Sequence, residues 1–234
     1  MRAGILLLLS LLATGRSLAW DPPDSLLDPQ TGLIHTLDSR TSGSSEVIRH
    51  ILDPGLGQPT VIEITSGHAD HSPHLAIGDA SVVEVVWQRE LAADEIRAVA
   101  LRADGTLGAE RLLSEAWEDS RNPDIVLCGA VPWVAYEIHG GQSVAVAVQT
   151  IVDDPDPIGP RIVVGTTSFS GDADVRIHAS DGHLWTTWMD AADDLAYAVF
   201  DAATQSWSTP AHQEVVEGDV ATALKEVEGV VLGQ

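Results

Sequence analysis

The densest group of side chains with metal-binding chemistry lies in the segment His68-Ala69-Asp70-His71-Ser72-Pro73-His74. Imidazole and carboxylate groups are ligand types that zinc and copper accept. The segment leads into a predicted strand, however, where alternate side chains point to opposite faces. We therefore predict either a metal site built from His68, His71 and His74 or, as the simpler alternative, a polar loop whose histidines are solvated or hydrogen-bonded.

Aspartate recurs at the start of three similar stretches of the chain, which begin near Asp70, Asp119 and Asp172. If the loops that carry them converge, their carboxylates could bind Ca²⁺ through oxygen. The alternative is that each aspartate accepts backbone N–H groups of its own turn, which needs only local geometry and which we favour. The candidate calcium ligands are Asp70, Asp119, Asp172 and Asp174.

These stretches repeat with a period near fifty residues. Pro73 and Pro123 lie 50 residues apart, and Val175 follows Pro123 by 52. A second set of residues, Trp87, Tyr136 and Trp188, recurs at nearly the same spacing. A fixed period of this size is typical of a propeller, a solenoid or an array. The repeat units run near residues 70–118, 119–170 and 171–218.

Each unit is predicted to hold four short strands. In the first unit, the β-branched run Val82–Trp87 indicates a buried strand, Glu95–Arg102 alternates, and Asp104-Gly105 predicts a turn. Partial units are expected at both ends of the chain, with second to fourth strands within residues 33–64. At the far end, residues 220–224 are expected to form a first strand and residues 230–232 to start a second. No amphipathic helix is predicted.

Four-stranded units at this period predict an all-β fold, a β-propeller of four-stranded antiparallel blades that begins near Thr31. The units amount to about four blade equivalents. The ring is then either partial or completed by a second copy of the chain, as a homo-oligomer. Because alternate loops of a meander fall at one end of the blades, one rim would gather the recurring aspartates with Asp94, His139, Asp190, Asp193 and Asp194.

The start of the chain has the pattern of a secretory leader. Met1-Arg2 supplies a positive end, an apolar stretch follows, and Ser17-Leu18-Ala19 is a small-residue cleavage site. We predict a signal peptide at residues 1–19 and a propeller domain at residues 20–234. The mature protein is expected to be secreted or periplasmic, without membrane insertion.

The charge is strongly acidic. The formal net charge is −23 at pH 7, and Lys225 is the single lysine. Nucleic acids and anionic membranes require clustered cationic side chains, so neither is an expected partner. The charge favours solubility and could attract cations or basic partners. Cys128 is the one cysteine, so an intrachain disulfide is excluded.

The repeat resembles the sialidase-like propellers with BNR repeats. Shared features are an Asp-x-x-Pro start, an apolar run, a turn and a strand that ends in Trp, over roughly residues 46 to 234. That family's Asp-box, Ser-x-Asp-x-Gly-x-Thr-Trp, lies between the third and fourth strands. The turns that match it here are the degenerate sequences Arg102-Ala103-Asp104-Gly105-Thr106 and Asp201-Ala202-Ala203-Thr204-Gln205-Ser206-Trp207, of which the second also resembles the kelch blade turn.

The resemblance implies what catalysis would require: three convergent arginines, a tyrosine nucleophile with its glutamate, and an acid/base aspartate. The arginines of this chain fall at non-equivalent positions, and Tyr136 and Glu137 are neighbours that point to opposite faces of a strand. We therefore predict a non-catalytic binding module for protein or carbohydrate, with no catalytic residue and no cofactor apart from the calcium alternative. The alternative function is a divergent sialidase-like glycoside hydrolase or lyase.

Overall fold

The computed structural model describes residues 24–42, 45–53, 55, 58–152, 159–168, 171–191, 194–215 and 220–233. The predicted leader at residues 1–19 and the rim candidate Asp193 lie outside these residues. The fold is all-β, as the repeat predicted, with four antiparallel sheets arranged in chain order. None of the described helices is both long enough and apolar enough to cross a bilayer.

The first two sheets are four-stranded meanders. The first contains β1 (Asp24–Leu27), β2 (Ile34–Ser42), β3 (Ser45–Asp53) and β4 (Thr60–Glu63). The second contains β5 (Asp70–Ile77), β6 (Val83–Arg89), β7 (Glu95–Leu101) and β8 (Arg111–Leu112). In each sheet the spatial order of the strands equals their order in the chain.

The third and fourth sheets repeat this plan. The third contains β9 (Asp119–Cys128), β10 (Val131–Gly140), β11 (Ser143–Thr150) and β12 (Ile162–Thr167). The fourth contains β13 (Arg176–Ser180), β14 (His183–Met189) and β15 (Leu195–Asp201), with an outer position divided between β16 (Ser206–Trp207) and β17 (Ala211–Gln213). Both of these outer strands pair with β15.

The apolar core lies between consecutive sheets. The anchor residues Trp87, Tyr136 and Trp188 are all buried, each in the cluster that joins its own sheet to a neighbour. Gly165 on β12 lies so close to Trp188 that an added Cβ would come within 2.7 Å of the indole Cη2. The first strands of consecutive sheets also contact one another, β1 with β5, β5 with β9 and β9 with β13.

A shared irregularity marks the start of the first strand in three sheets. Ser72, Asn122 and Asp174 all have a positive φ of 49°. In the second sheet the pairing register shifts between His71 and His74, which indicates a bulge there. Alignment on these residues matches Asp70 with Ser120 and Asp172, so Asp119 lies one position earlier than its counterparts. The repeat anchors Pro73, Pro123 and Val175 directly follow these three residues and give the same alignment, so Asp119 alone is out of register with the repeat.

The turns that resemble an Asp-box occupy the position expected for that motif, between the third and fourth strands. Asp104 Oδ1 accepts hydrogen bonds from Thr106 N at 2.9 Å and Thr106 Oγ1 at 2.6 Å. Asp201 Oδ1 accepts one from Ala203 N at 2.8 Å, and its Oδ2 accepts one from Thr204 Oγ1. Both aspartates therefore stabilise their own turns.

The C-terminal strands predicted at residues 220–224 and 230–232 are wrong, because this segment is the helix α1 (Val220–Leu232). Its buried residues Ala223, Val227 and Val231 recur every four positions, which forms one helical face. That face packs on Trp185 and Leu195 of the fourth sheet. The β-branched valines favoured strands in the prediction. The segment is helical because its buried residues are spaced to form one apolar face of a helix.

The prediction of a partial N-terminal unit is also wrong. The first sheet has all four strands, and β1 begins at Asp24, ahead of the expected start near Thr31. The strand is short and its last three residues are exposed, so it lacks the apolar run that identified first strands elsewhere. Four sheets are therefore complete within the described residues, and the C-terminal segment contributes a helix rather than a further strand.

Candidate binding rim

One edge of the sheets, here called the rim, carries the connections β6–β7, β8–β9, β10–β11 and β12–β13. The β6–β7 connection contacts the start of β9, since Ser120 N donates a hydrogen bond to Asp94 O at 2.8 Å. Most of the aspartates predicted from the repeat lie at or near this edge. Their chemistry depends on which of them are already engaged by other groups of the protein.

Glu137 is a fully buried carboxylate near the rim and joins the third sheet to the fourth. Its Oε1 accepts hydrogen bonds from Asn122 Nδ2 at 3.1 Å, Ala173 N at 3.0 Å and Val175 N at 3.4 Å. Its Oε2 lies 2.8 Å from His139 Nε2. A fully buried carboxylate requires such partners, so Glu137 is a structural anchor between the two sheets.

Gln88 has a comparable role between the second and third sheets. Its Oε1 accepts a hydrogen bond from Asn122 N at 3.1 Å, and its Nε2 donates one to Asp94 Oδ2 at 2.8 Å. A long polar side chain at the end of the second strand thus binds the backbone that begins the next sheet. Gln88 and Glu137 thus hold the starts of the first strands of the third and fourth sheets in place at the rim.

Asp172 is the predicted calcium ligand that lies nearest to other ligand groups. Its Oδ1 is 3.9 Å from His139 Nε2, and potential ligand atoms of Glu137, His139 and Asp172 all lie within 4.8 Å of one another. Among the described residues this is the one group of at least three such side chains. Two carboxylates and an imidazole could hold a divalent cation, although Glu137 and His139 already bind each other.

Asp174 is the second candidate next to this group. Partial desolvation raises the pKa of its carboxyl, and the negative charges of Glu137 and Asp172 act in the same direction against the opposing charge of Arg176. Its backbone lies in the left-handed region, which aspartate adopts more readily than most residues. Asp174 is therefore a rim carboxylate that its surroundings make a weaker acid than an aspartate in water.

Asp119 and Asp70 are occupied by arginines. Asp119 accepts hydrogen bonds from Arg121 Nε at 3.0 Å and Nη2 at 2.7 Å. Burial opposes ionisation of Asp119, yet the Arg121 guanidinium holds the pKa of that carboxyl below its ordinary value. Asp70 is fully buried and accepts two hydrogen bonds from Arg89, at 2.7 and 3.2 Å. Both carboxylates already have a cationic partner, which lowers their availability to a metal ion.

The three histidines of the first candidate site lie apart. His68 is exposed in the connection before β5, and His71 Nδ1 lies 3.2 Å from Ser72 Oγ. His74 Nδ1 lies 3.7 Å from Asp24 Oδ2 and 3.6 Å from Asp124 Oδ1, two carboxylates of neighbouring first strands. No ligand group of three or more among the described residues includes these histidines. Strand alternation and the bulge after His71 explain the separation.

Sequence reasoning missed the most exposed aromatic side chain of the rim. Trp117 lies in the β8–β9 connection and is 76% exposed, two residues before Asp119. Leu91, in the β6–β7 connection that contacts this region, is 46% exposed. A tryptophan between Glu115 and Glu118, outside any strand pattern, was the available signal, because such a residue has no core to fill.

Tyr136 and Glu137 point to opposite faces of β10. Tyr136 packs in the cluster between the second and third sheets, whereas Glu137 binds the start of the fourth. Burial raises the pKa of Tyr136 to about 12, which disfavours the phenolate that a nucleophile would require. The pair therefore has neither the geometry nor the ionisation of a tyrosine nucleophile with its base.

Comparisons with known proteins show likeness in structure but not in sequence. No protein-family model matches the chain, and no curated protein matches it in sequence. An endo-1,4-beta-xylanase from Bacteroides thetaiotaomicron superimposes with a TM-score of 0.50 at 12% identity, covering 81% of this chain and 74% of the xylanase.

Two further solved structures are similar at lower scores. An exo-1,5-alpha-L-arabinanase from a bovine ruminal metagenomic library has a TM-score of 0.49 at 13% identity, with 82% of this chain and 77% of the arabinanase covered. A sialidase from Streptococcus pneumoniae has a TM-score of 0.48 at 12% identity, with 72% and 27% covered, so the chain spans about a quarter of that sialidase. The predicted fold, an all-β propeller of four-stranded antiparallel blades, is confirmed.

Proposed function

We propose that this protein is a non-catalytic β-propeller that binds glycan at the rim, with Trp117 as the surface on which a sugar ring stacks. The observation that carries the proposal is the 76% exposure of Trp117 beside the polar connections of the rim. An indole face is a large, rigid and partly polarised surface, suited to the C–H face of a sugar. Tryptophan is also enriched among residues that dominate binding energies.

Polar groups near Trp117 have the chemistry to bind sugar hydroxyls. Asp119 is two residues away, and its ion-pair partner Arg121 is 38% exposed at the side chain. A carboxylate held by a guanidinium presents fixed acceptors and donors, which favours oriented hydrogen bonds over general charge attraction. These features support a neutral glycan rather than a basic protein as the ligand. A protein partner is the other outcome of the experiments below.

The bonding of the buried carboxylates supports a role without catalysis. Asp70 is bound by Arg89, and Glu137 accepts three hydrogen bonds through one oxygen. A general acid or base must be within reach of a substrate and must have an appropriate pKa. Carboxylates engaged in this way stabilise the rim and lack the accessibility that acid/base catalysis requires.

Isothermal titration calorimetry with arabino-, xylo- and sialyl-oligosaccharides tests the proposal. At least one glycan should bind the wild type, and Trp117→Ala should weaken that binding by at least ten-fold. Val163→Ala is the matched control, because Val163 is also exposed but lies on the outer strand β12. Equal binding by Trp117→Ala and wild type would overturn the role of Trp117. Binding of a protein ligand in place of every glycan would overturn the glycan assignment.

The raised pKa of Asp174 favours a second candidate, a divergent glycoside hydrolase or lyase. A carboxyl with a raised pKa next to the carboxylates Asp172 and Glu137 is the kind of pairing from which glycosidases build an acid and a base. Release of reducing sugar or of an unsaturated product from the same glycans, lost in Asp174→Asn, would establish this candidate. Product formation that persists in Asp174→Asn would point to a contaminating enzyme.

We also propose that the chain is exported, on the basis of the leader pattern at residues 1–19. Cleavage after Ala19 would leave Trp20 as the first residue of the mature protein. N-terminal sequencing of protein from the native host measures this directly. A native N-terminus at Met1 would contradict the proposal.

A further inference from the structure

The first sheet packs on the rest of the protein through its interface with the second sheet. Its strands β1, β2 and β3 contact β5, and no comparable contact joins them to the third or fourth sheet among the described elements. The chain leaves this sheet through the β4–β5 connection, in which Ser66, Gly67 and His68 are exposed and Gly67 has a φ of 79°. An exposed connection with glycine at its centre is suited to act as a hinge.

Two buried histidines lie in the interface between the first and second sheets. His35 on β2 and His50 on β3 are 5% and 2% exposed, and they are the two buried histidines of the described residues. Both line a cavity that also has the aliphatic side chains of Leu52, Val83 and Leu101 on its walls. An interface that is otherwise mostly apolar therefore contains two groups that can take up a proton.

The closed interface has no place for an additional proton on this pair. His35 Nδ1 lies 3.0 Å from His50 Nε2, so one inner nitrogen donates to the other. The outer nitrogens, His35 Nε2 and His50 Nδ1, are buried and have no hydrogen-bond partner among the described residues. Protonation would turn both outer nitrogens into donors without an acceptor and would place a positive charge among apolar side chains. Both effects are costly in a buried position.

The charged groups around the pair do not offset this cost. Asp24 on β1 faces the second sheet, where its Oδ2 accepts a hydrogen bond from Leu75 N at 2.9 Å. Strands β5, β6 and β7 contribute aliphatic and aromatic side chains to the cluster at this interface. The charged residues that line the cavity come from the β1–β2 and β7–β8 connections, and they are Asp28, Arg102 and Asp104.

The carboxylate of Asp28 is a tie between the two sheets that persists in mild acid. Its Oδ2 accepts hydrogen bonds from Thr31 Oγ1 at 2.6 Å and from Ser81 Oγ at 2.8 Å, and Ser81 belongs to the β5–β6 connection of the second sheet. The hydrogen bond from Thr31 lowers the pKa of the Asp28 carboxyl to about 2, against the opposing effect of burial. Between pH 7 and pH 4 the histidine pair therefore changes its charge preference while Asp28 stays ionised.

Proton uptake by the two histidines is linked to separation of the sheets. Burial lowers the pKa of His35 against the charge of Asp28, and burial together with His35 lowers the pKa of His50 to about 4. When the sheets separate, water solvates both rings and the pKa of His50 returns towards its ordinary 6.5. The contribution of the pair to the closed state is thus fully present above pH 6.5 and is lost as the pH falls towards 4. His50 alone shifts the equilibrium towards separation by about 25-fold between pH 7.5 and pH 5.

We propose that mild acid detaches the first sheet from the second, about the β4–β5 connection, while the second, third and fourth sheets stay joined. No buried histidine lies in either of the other two interfaces, within the part of the chain that the structure describes. Detachment exposes Leu37 and Ile48 of the first sheet and Leu75 of the second. The acid form therefore presents an apolar surface that the neutral form conceals.

Hydrogen exchange measured by mass spectrometry at pH 7.5 and pH 5, corrected for the intrinsic exchange rate at each pH, tests the proposal. A detached sheet has no apolar cover, so its strands should exchange readily. We expect the protection factors of β2 and β3 to fall at least ten-fold at pH 5, and those of β10 and β11 to fall less than three-fold. Unchanged protection of β2 and β3 would overturn the proposal. An equal loss in all four sheets would overturn it in favour of global unfolding.

The double variant His35→Gln/His50→Gln tests whether the histidines cause the response, since glutamine remains neutral at both pH values. Its β2 and β3 should lose less than three-fold of their protection at pH 5. The matched control His183→Gln, in the fourth sheet, should keep the wild-type response. If circular dichroism shows that the double variant is unfolded at pH 7.5, His50→Gln alone should reduce the response at least five-fold. A full response in a folded variant that lacks His50 would overturn the proposal.

Discussion

Within the described residues, the outer faces of the first and fourth sheets both lack a neighbouring sheet, yet only one of them is covered. The outer face of the fourth sheet carries Trp185 and Leu195, which α1 buries through Val227. On the outer face of the first sheet, Leu27 is 62% exposed and Val61 is 50% exposed. Among the described elements, no contact between the first and fourth sheets compares with those that join consecutive sheets.

Composition explains the difference. The fourth sheet presents aromatic and aliphatic side chains that would be costly to leave in water, and a helix with a valine face covers them. The first sheet interrupts its aliphatic residues with an ion-pair group, in which Asp38 accepts from both Arg40 and Arg49. Charged side chains on an exposed sheet face also discourage unwanted association. The outer face of the fourth sheet is therefore stabilised by a covering helix, and the outer face of the first sheet by charged side chains that stay in water.

The largest effect is expected from a charge under the helix. Val227→Asp buries a carboxylate between α1 and the fourth sheet, where Val227 is 0% exposed, and should lower the free energy of unfolding by about 4 kcal/mol. Val230→Asp on the exposed side of the same helix should change it by no more than about 0.5 kcal/mol. Urea denaturation measures both variants. Similar losses in both would mean that α1 contributes through its helicity rather than through its covering face.

The stability of the protein should depend almost as strongly on the packing between the third and fourth sheets. Gly165→Ala places a methyl group within 2.7 Å of Trp188 Cη2, between the third and fourth sheets, and should cost about 3 kcal/mol through overpacking. Gly229→Ala, at a helix position with no atom within 4 Å of the added Cβ, should be neutral or stabilising. Thermal unfolding gives the comparison. A neutral Gly165→Ala would show that the indole moves at little cost.

Acid should weaken the interface between the first and second sheets. Because the folded state holds His50 neutral with a pKa of about 4, against 6.5 unfolded, its contribution is fully present above pH 6.5. The contribution falls as the pH drops towards 4, since the unfolded state then binds the additional proton. We expect a loss of about 2 kcal/mol over this range, relative to His50→Phe measured in parallel. Parallel pH profiles for the two proteins would contradict the expectation.

A charge on the exposed outer face of the first sheet should have little effect on folding. Val61→Asp replaces an exposed side chain on β4 and should change the free energy of unfolding by less than about 0.5 kcal/mol. Sedimentation of wild type and variant tests whether a second copy covers this face, as in the ring-completing alternative. A wild-type dimer that Val61→Asp dissociates would establish the face as an interface. Identical sedimentation of the two proteins would mean that no second copy covers this face and that its charged side chains keep it soluble in water.

The smallest effect is expected from calcium. Because Glu137 joins the third and fourth sheets through its own hydrogen bonds, EDTA should leave the melting temperature unchanged. Asp172→Ala should behave alike with and without the metal. A melting temperature that rises with micromolar calcium in wild type, but not in Asp172→Ala, would instead show that a cation supplements this interface.

Local patterns were sufficient for most of the fold. The alternation in β7, the β-branched run of β6 and the period between Trp87, Tyr136 and Trp188 each follow from side chains that must be buried in a strand. The predictions of secondary structure that proved wrong concern α1 and β1, near the two ends of the chain. Valines at helical spacing in α1 carried a strand composition, and β1 lacked an apolar run because three of its residues are exposed.

The candidate sites were less predictable than the strands, since a residue type does not identify its partner. Asp70 and Asp172 occupy matching positions, yet Arg89 buries the first in an ion pair while the second stays exposed near His139. Arg89 is 19 residues from Asp70, and Glu137 is 36 residues from Ala173. Contacts of such separation arise only when the sheets pack.

The sequence by itself determined the repeat, the strand content and the acidic charge, because burial on a pleated sheet imposes a pattern that neighbouring residues express locally. Tertiary structure alone decided which aspartates are paired, that Trp117 is exposed and that His35 and His50 share a cavity. These properties depend on the distance between side chains from different strands and sheets. Packing sets that distance, and no spacing along a single chain encodes it directly.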